Sequence, residues 1–194
     1  MATPTGAPPV RTSQSDPLRI NTVAAGLAGG LIGLTFCPGK RGASVFGRAW
    51  QRDLAGDLDV IQAWGPATVV TLIEDHEFAM LGVPTLGAAV LARGLAWLHL
   101  PIVDLHAPDA RFEAAWPQAG AGLRQQLRAG QRVLVHCRGG LGRAGTVAAR
   151  LLIELGTAPA LAIQLVRQAR PGAIETSAQT RHLQALRPGS NGLV

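Results

Sequence analysis

The chain has 194 residues, of which 47% are hydrophobic and 15% are charged. This length suits one domain with a buried core, and the composition excludes an intrinsically disordered protein. The net charge is +6, but the basic residues are almost all scattered arginines, which excludes a basic tract of the kind that binds nucleic acid.

Cellular location is constrained by what the sequence lacks. Two cysteines do not form a disulfide framework, and the first residues, MATPTGAPPV, contain no apolar segment typical of a secretory signal. No apolar run is long enough for a membrane helix. We therefore expect a monomeric cytoplasmic protein.

A flexible tail is predicted over residues 1–18, which are rich in Pro, Thr and Ser, and a single domain over residues 19–194. Residues 20–36 carry apolar runs broken by glycines and predict two strands joined by a turn. Residues 53–64 have apolar positions at helical spacing and predict a surface helix. Residues 68–73 (TVVTLI) are typical of a buried parallel strand.

The remainder of the chain continues this alternation. Apolar periodicity and breakers predict a strand, a helix, a second strand and three further helices, over residues 95–100, 110–129, 133–135, 147–155, 161–170 and from Ser177 onward. Alternating strands and helices predict an α/β fold with a central, mainly parallel sheet flanked by helices. Ligands bind at the carboxyl ends of such strands, so the loop after residues 133–135 is the first place to look for chemistry.

That loop has a phosphate-binding pattern. Residues 135–146 read VHCRGGLGRAGT, in which Cys137 and Arg143 are separated by five residues, three of them glycine. A strand, a Gly-rich turn and a helix start direct backbone N–H groups into one bowl that can hold a phosphate dianion. The predicted phosphate-binding residues are Arg138, Gly139, Gly140, Leu141, Gly142 and Arg143.

Three side chains of the loop have predicted roles. The same N–H groups favour the thiolate form of Cys137, which predicts a nucleophile, although an isolated cysteine would usually be an inert core residue. Arg143 can present two N–H donors to two phosphate oxygens. We expect His136 to brace the loop through hydrogen bonds rather than to transfer protons, and Arg138 to point outward.

The segment HCRGGLGR resembles the HC-x5-R loop of protein-tyrosine and dual-specificity phosphatases, and its GGLGR part is most similar to that of the kinase-associated phosphatase. The similarity continues through WLHLPIVDLHAPD (97–109) and RPGAIETSAQ (170–179). The resemblance implies the fold of these phosphatases and hydrolysis of phosphomonoesters through a phosphocysteine, without metal or cofactor. It also implies a phosphorylated protein as substrate, with phosphotyrosine favoured.

The resemblance further implies roles for two carboxylates. Asp104, in PIVD, stands where these phosphatases have a general acid. Asp109 lies in the same loop and competes for that role, although it is also a natural N-cap for the next helix. Glu175 stands where a relative's side chain orients the attacking water, although it could equally be a surface or helix-initiating residue.

One position departs from the family pattern. Ala144 stands where relatives have Ser or Thr, whose hydroxyl helps the cysteine sulfur to leave. We therefore expect slow breakdown of the phosphoenzyme, and Thr146, two residues later, is left open as a substitute.

Several alternatives stay open at this point. The substrate could be a phosphoinositide or a small phosphate ester, and the chain could instead be a phosphate-binding module with little turnover or a sulfur-transfer or thiol redox enzyme. Cys37 could be a redox partner of Cys137, although a plain core cysteine is the simpler interpretation. The acidic group at residues 74–77 (EDHE) predicts a strand-to-helix turn rather than a metal site.

Overall fold

The computed structural model describes residues 10–26, 29–44 and 47–189. The strands are β1 (Asn21–Ala24), β2 (Leu31–Phe36), β3 (Arg41–Ser44), β4 (Gly47–Gln51), β5 (Thr68–Thr71), β6 (Ala96–His99) and β7 (Arg132–Cys137). The helices are α1 (Leu54–Trp64), α2 (Asp75–Met80), α3 (Leu86–Leu91), α4 (Ala110–Arg128), α5 (Gly142–Glu154), α6 (Pro159–Ala169) and α7 (Ser177–Ala185).

The central sheet has five strands in the order β1-β2-β7-β5-β6. Strand β1 pairs antiparallel with β2, and the other pairs are parallel, so the predicted α/β fold with a mainly parallel sheet is confirmed. Strand β7 lies at the centre. Its buried side chains divide between two apolar clusters, as Val133 and Val135 pack with residues of α4 to α7, whereas Leu134 packs with residues of α1 and α3.

Most predicted elements lie where the sequence indicates, and helix α5 is the clearest difference. It begins at Gly142, five residues before the predicted start at Val147. Glycine is a poor helix former, so the apolar pattern alone begins later than the helix. Arg143 lies on the first turn of α5, as the strand, turn and helix pattern of the loop predicted.

Two elements are absent from the sequence prediction, the β3–β4 hairpin and the short helix α3. The hairpin strands are largely exposed and lack apolar alternation, and α3 has only six residues. The hairpin is held from outside by Arg11, whose N–H donates to Ala49 O at 2.8 Å and whose guanidinium carbon lies 3.5 Å from the Trp50 ring centroid.

Arg11, which makes these contacts with the hairpin, lies within the predicted flexible tail of residues 1–18. Residues 1–9, 27–28, 45–46 and 190–194 lie outside the described residues. From Arg11 onward the chain is hydrogen-bonded, and Leu18 is buried, so packing begins earlier than the sequence predicts. Among the described residues, no helix combines the length and apolarity needed to span a bilayer.

Candidate active site

Cys137 ends strand β7 and is only 3% exposed, facing the first turn of α5. Its Sγ accepts a hydrogen bond from the N–H of Gly140 at 3.2 Å. Gly140 has φ +70°, and a Cβ there would lie 2.4 Å from the backbone of Thr35. The loop therefore needs glycine at this position to pass close to β2, and this passage turns its amides toward the sulfur.

Arg143 lies on the first turn of α5 and is 1% exposed. Its Nη1 and Nη2 donate to the two carboxylate oxygens of Glu77, at 2.5 and 3.0 Å, and Nη1 also donates to Ile102 O at 3.1 Å. Burial alone would lower the pKa of Arg143, but Glu77, Cys137 and Asp104 outweigh it and raise the pKa, so the charge is permanent. Within the described residues its Nε is buried without a partner, which leaves a donor for a ligand.

Glu77 is a residue that the sequence did not single out. It lies on α2, is 2% exposed, and orients Arg143 through both of its oxygens. Burial would raise its pKa, but the hydrogen bonds from Arg143 and from the Glu74 backbone outweigh burial and lower it. The acidic run of residues 74–77 is the feature of the sequence that contains Glu77, but the run by itself indicates a helix start and not a partner for Arg143.

Asp104 is near Arg143 and open to solvent. Its Oδ1 lies 2.9 Å from Arg143 Nη2, and its side chain is 45% exposed. The next residue, Leu105, has φ +61°, a backbone conformation that costs a non-glycine residue free energy and often marks functional loops. The competing Asp109 caps α4, accepting the N–H of Phe112 at 3.0 Å.

His136 is fully buried beneath the loop. Its Nε2 lies 2.8 Å from Thr71 Oγ1, which in turn accepts the N–H of Trp97 at 2.9 Å. Burial lowers the pKa of His136 to about 3, so the ring is neutral, which suits a bracing role.

This geometry can now be compared with known proteins. A family model described as "Swiss Army Knife protein, DSP-PTPase phosphatase domain" matches residues 51–191. The chain belongs to this phosphatase family. It is a cysteine-based hydrolase of the protein-tyrosine phosphatase type.

Individual relatives agree with the family assignment. The chain is 31% identical over 159 residues to cyclin-dependent kinase inhibitor 3 of Rattus norvegicus, covering 80% of this chain and 71% of the relative. It is 49% identical to protein tyrosine phosphatase type IVA 3 of Bos taurus, but over only 59 residues, 30% of this chain and 34% of the relative.

Solved structures of phosphatases share the fold. A crystal structure of kinase associated phosphatase, with its catalytic-site cysteine replaced by serine, superposes with a TM-score of 0.75 at 28% identity, covering 86% of this chain and 92% of that one. The active form of Tk-PTP has a TM-score of 0.61 at 30% identity, with 83% and 96% covered. The phosphatase resemblance stated from the sequence is thereby confirmed.

The Thr146 hydroxyl and the Glu175 carboxylate, which the sequence analysis considered for the second step, have other partners. Thr146 is buried and donates to Gly142 O at 2.8 Å, and Ala144 is fully buried. Glu175 Oε2 accepts the N–H of Gly142 at 2.7 Å. Thr146 is thus committed to its own helix, and Glu175 holds one of the amides that we expected to face phosphate.

Two arginines surround the phosphatase loop. Arg138 is half-buried and lines the same cavity as Cys137, although the sequence predicted that it points outward. Arg170, which the sequence analysis did not single out, donates to Gly140 O at 2.5 Å and to Gly139 O at 3.0 Å. It therefore braces the loop through two carbonyl oxygens and does not occupy the loop amides.

Cys37 is buried and fully inaccessible. Burial raises the pKa of its thiol far above the usual range, which keeps it protonated and unreactive. This is the property of a core cysteine rather than of a resolving thiol. In the described residues, no group of three or more His, Cys, Asp or Glu side chains is arranged to hold a metal ion.

Proposed function

We propose that the chain hydrolyses phosphomonoesters in two steps through a phosphocysteine on Cys137. The observation that carries this proposal is the hydrogen bond from the Gly140 amide to Cys137 Sγ just before the start of α5, with the unpartnered Nε of Arg143 buried on the first turn of that helix. Backbone amides and a fixed guanidinium stabilise the charge that develops on a transferring phosphoryl group.

In the first step Cys137 Sγ attacks phosphorus, and the bond from phosphorus to the ester oxygen breaks. Asp104 protonates that oxygen as it leaves. Its position 2.9 Å from Arg143 Nη2 supports this role, because a leaving group bonded to a phosphate held by Arg143 would lie near the Asp104 carboxyl.

In the second step water attacks phosphorus and the thiolate leaves. Asp104, now ionised, accepts a proton from this water, and inorganic phosphate is released. Glu175 is close enough to the helix N-terminus to orient the water, provided that an incoming phosphate displaces it from the Gly142 amide.

The proposed substrate is a phosphorylated protein, with phosphotyrosine favoured. Similar proteins include a protein tyrosine phosphatase and a kinase associated phosphatase. The cavity of about 530 Å³ has Phe36, Trp50 and Leu105 in its walls, which are apolar surfaces suited to an aromatic ring.

A phosphate-binding module with little turnover is the second candidate. The hydrogen bond from Thr146 to Gly142 O favours it, because the loop then has no hydroxyl in the position after Arg143 to assist release of the sulfur.

Leaving-group dependence tests the main proposal. Para-nitrophenyl phosphate should be hydrolysed, vanadate should block the reaction, and Cys137→Ser should abolish it. Asp104→Asn should slow hydrolysis of phenyl phosphate, a poor leaving group, by about 10²- to 10⁴-fold, and that of para-nitrophenyl phosphate much less.

Asp109→Asn is the matched control, because it removes a carboxylate from the same loop. It should lower stability through the lost cap but keep the leaving-group dependence of the wild type. Full activity in Cys137→Ser would overturn the phosphocysteine, and an unchanged phenyl phosphate rate in Asp104→Asn would overturn the acid assignment.

A further inference from the structure

Lys40 is a buried cation in the wall of the catalytic cavity. The residue is only 8% exposed, and it lines the same cavity as Cys137. Its Nζ lies 4.3 Å from the Trp50 ring centroid and 4.5 Å from that of Phe36, and it donates to Arg138 O at 3.3 Å. These partners are neutral, so the contacts do not neutralise the ammonium charge.

The loop that carries Lys40 is fixed in place. The N–H of Gly39 donates to Asp57 Oδ2 at 2.8 Å, and Asp57 forms a buried ion pair with Arg52 at 2.8 Å. The charge of Arg52 is therefore matched inside the protein, whereas the neighbouring Lys40 is held toward the cavity. Burying an ammonium group without a carboxylate partner costs free energy unless an anionic ligand pairs with it.

The charges around the cavity also exceed what one phosphate requires. Five cationic side chains and two carboxylates line it. Both carboxylates are engaged, Asp104 with Arg143 and Glu175 with the amide of Gly142. The remaining positive charge is concentrated on the wall formed by Lys40 and the hairpin, where Arg11 and Arg41 also line the cavity.

We propose that Lys40 binds a second anionic group of the substrate, adjacent to the phosphate that Cys137 attacks. The preferred substrates are then phosphomonoesters that carry another phosphate or a carboxylate close to the scissile phosphate. This inference rests on the proposed function, since it takes the cavity of Cys137 as the substrate site.

Calorimetric binding to the full chain tests the second anion site without requiring turnover. Methylphosphonate and methylenebisphosphonate form a matched pair that differs by one anionic group. The wild type should bind the bisphosphonate more tightly, and Lys40→Met should weaken bisphosphonate binding by about tenfold while changing methylphosphonate binding little. Lys40→Arg should keep the preference, and so should Arg128→Gln, which removes an exposed charge far along α4.

Each other outcome counts against the proposal. Equal binding of the two ligands by the wild type, or an undiminished preference in Lys40→Met, would overturn it. An equal loss for both ligands would assign Lys40 to the reacting phosphate alone. Because binding is read directly, these results are separate from a failure of the proposed function, which would appear as absent hydrolysis of para-nitrophenyl phosphate.

The pH dependence gives a second measurement that does not need Lys40→Met to fold. Burial lowers the pKa of Lys40 to about 8, and the titratable groups that act on it are Cys37, Arg11, Cys137 and Arg52. The ammonium is present below this pKa and is lost above it. The wild-type preference should therefore fall above pH 8 relative to that of Lys40→Arg, a comparison that cancels the titration of the ligands. Parallel pH profiles would overturn the proposal.

Discussion

In the second step of a phosphocysteine reaction the sulfur leaves as a thiolate, and a hydroxyl beside it stabilises the developing charge. Ala144, directly after Arg143, supplies none, and the Thr146 hydroxyl is bonded to Gly142 O at 2.8 Å. We expect phosphoenzyme breakdown to limit the rate, giving a burst of para-nitrophenol. Ala144→Ser should raise the steady-state rate about tenfold and remove the burst, since one hydrogen bond to a charged group is worth that much.

The Thr146→Val variant separates this effect from a general disturbance of α5. It removes the one hydroxyl that the wild-type sequence has on the first two turns of the helix, so it should leave the burst as it is in the wild type. A wild-type reaction without a burst in stopped-flow measurements would contradict the prediction, as would a burst abolished by Thr146→Val.

At the scale of elements, the short helix α2 couples the sheet to the catalytic arginine. The capping box of α2 includes a bond of 2.8 Å from the Glu74 N–H to Glu77 Oε2, the same oxygen that accepts Arg143 Nη1. The start of the helix thus sets the position of the guanidinium. We expect Glu77→Gln to lower kcat/KM about 10- to 100-fold through lost orientation of Arg143, with the Cys137 nucleophile intact.

Asp75→Asn provides the control for Glu77→Gln, because it removes a carboxylate from the same helix turn, where the Asp75 side chain is 85% exposed. Its kcat/KM should match the wild type. Alkylation of Cys137 by iodoacetate should proceed in Glu77→Gln, which tests whether the nucleophile survives. Wild-type kcat/KM in Glu77→Gln would remove Glu77 from the positioning of Arg143.

The elements also explain which parts of the site the sequence could predict. The strand β7, the glycine turn and α5 are continuous in the chain, so local patterns place Cys137 and Arg143 together. Glu77 reaches Arg143 across 66 positions, and Arg170 reaches Gly140 across 30. Such pairings depend on how strands and helices pack, which residue types and spacing do not specify.

The same reasoning applies to the hairpin that carries part of the cavity wall. Strands β3 and β4 show no apolar alternation, because neither strand buries an apolar face, and Arg11 packs on Trp50 of β4. Arg11 itself lies in residues 1–18, whose composition, rich in Pro, Ser and Thr, predicts a flexible tail. Only the folded chain shows that residues near Arg11 complete the cavity, and with it the cationic wall around Lys40.

At the scale of the whole molecule, the central strand β7 packs against an apolar cluster on each face of the sheet. It also carries one buried imidazole, that of His136. Its pKa is lowered by burial to about 3, whereas the unfolded chain binds the proton near the usual value of 6.5. Between these values the unfolded state holds one more proton, so stability rises with pH. The contribution is complete above pH 6.5 and is lost as the pH falls toward 3.

Urea unfolding at pH 7 and pH 5 measures this contribution. His136 should account for a loss of about 2 kcal/mol in the free energy of unfolding between the two pH values. In His136→Gln the pH-dependent loss should be smaller by that amount, whatever the variant's stability at pH 7, while the exposed His76→Gln should keep the wild-type loss. Equal losses in His136→Gln and wild type would mean that His136 takes up a proton in the folded state, which its complete burial in the core opposes.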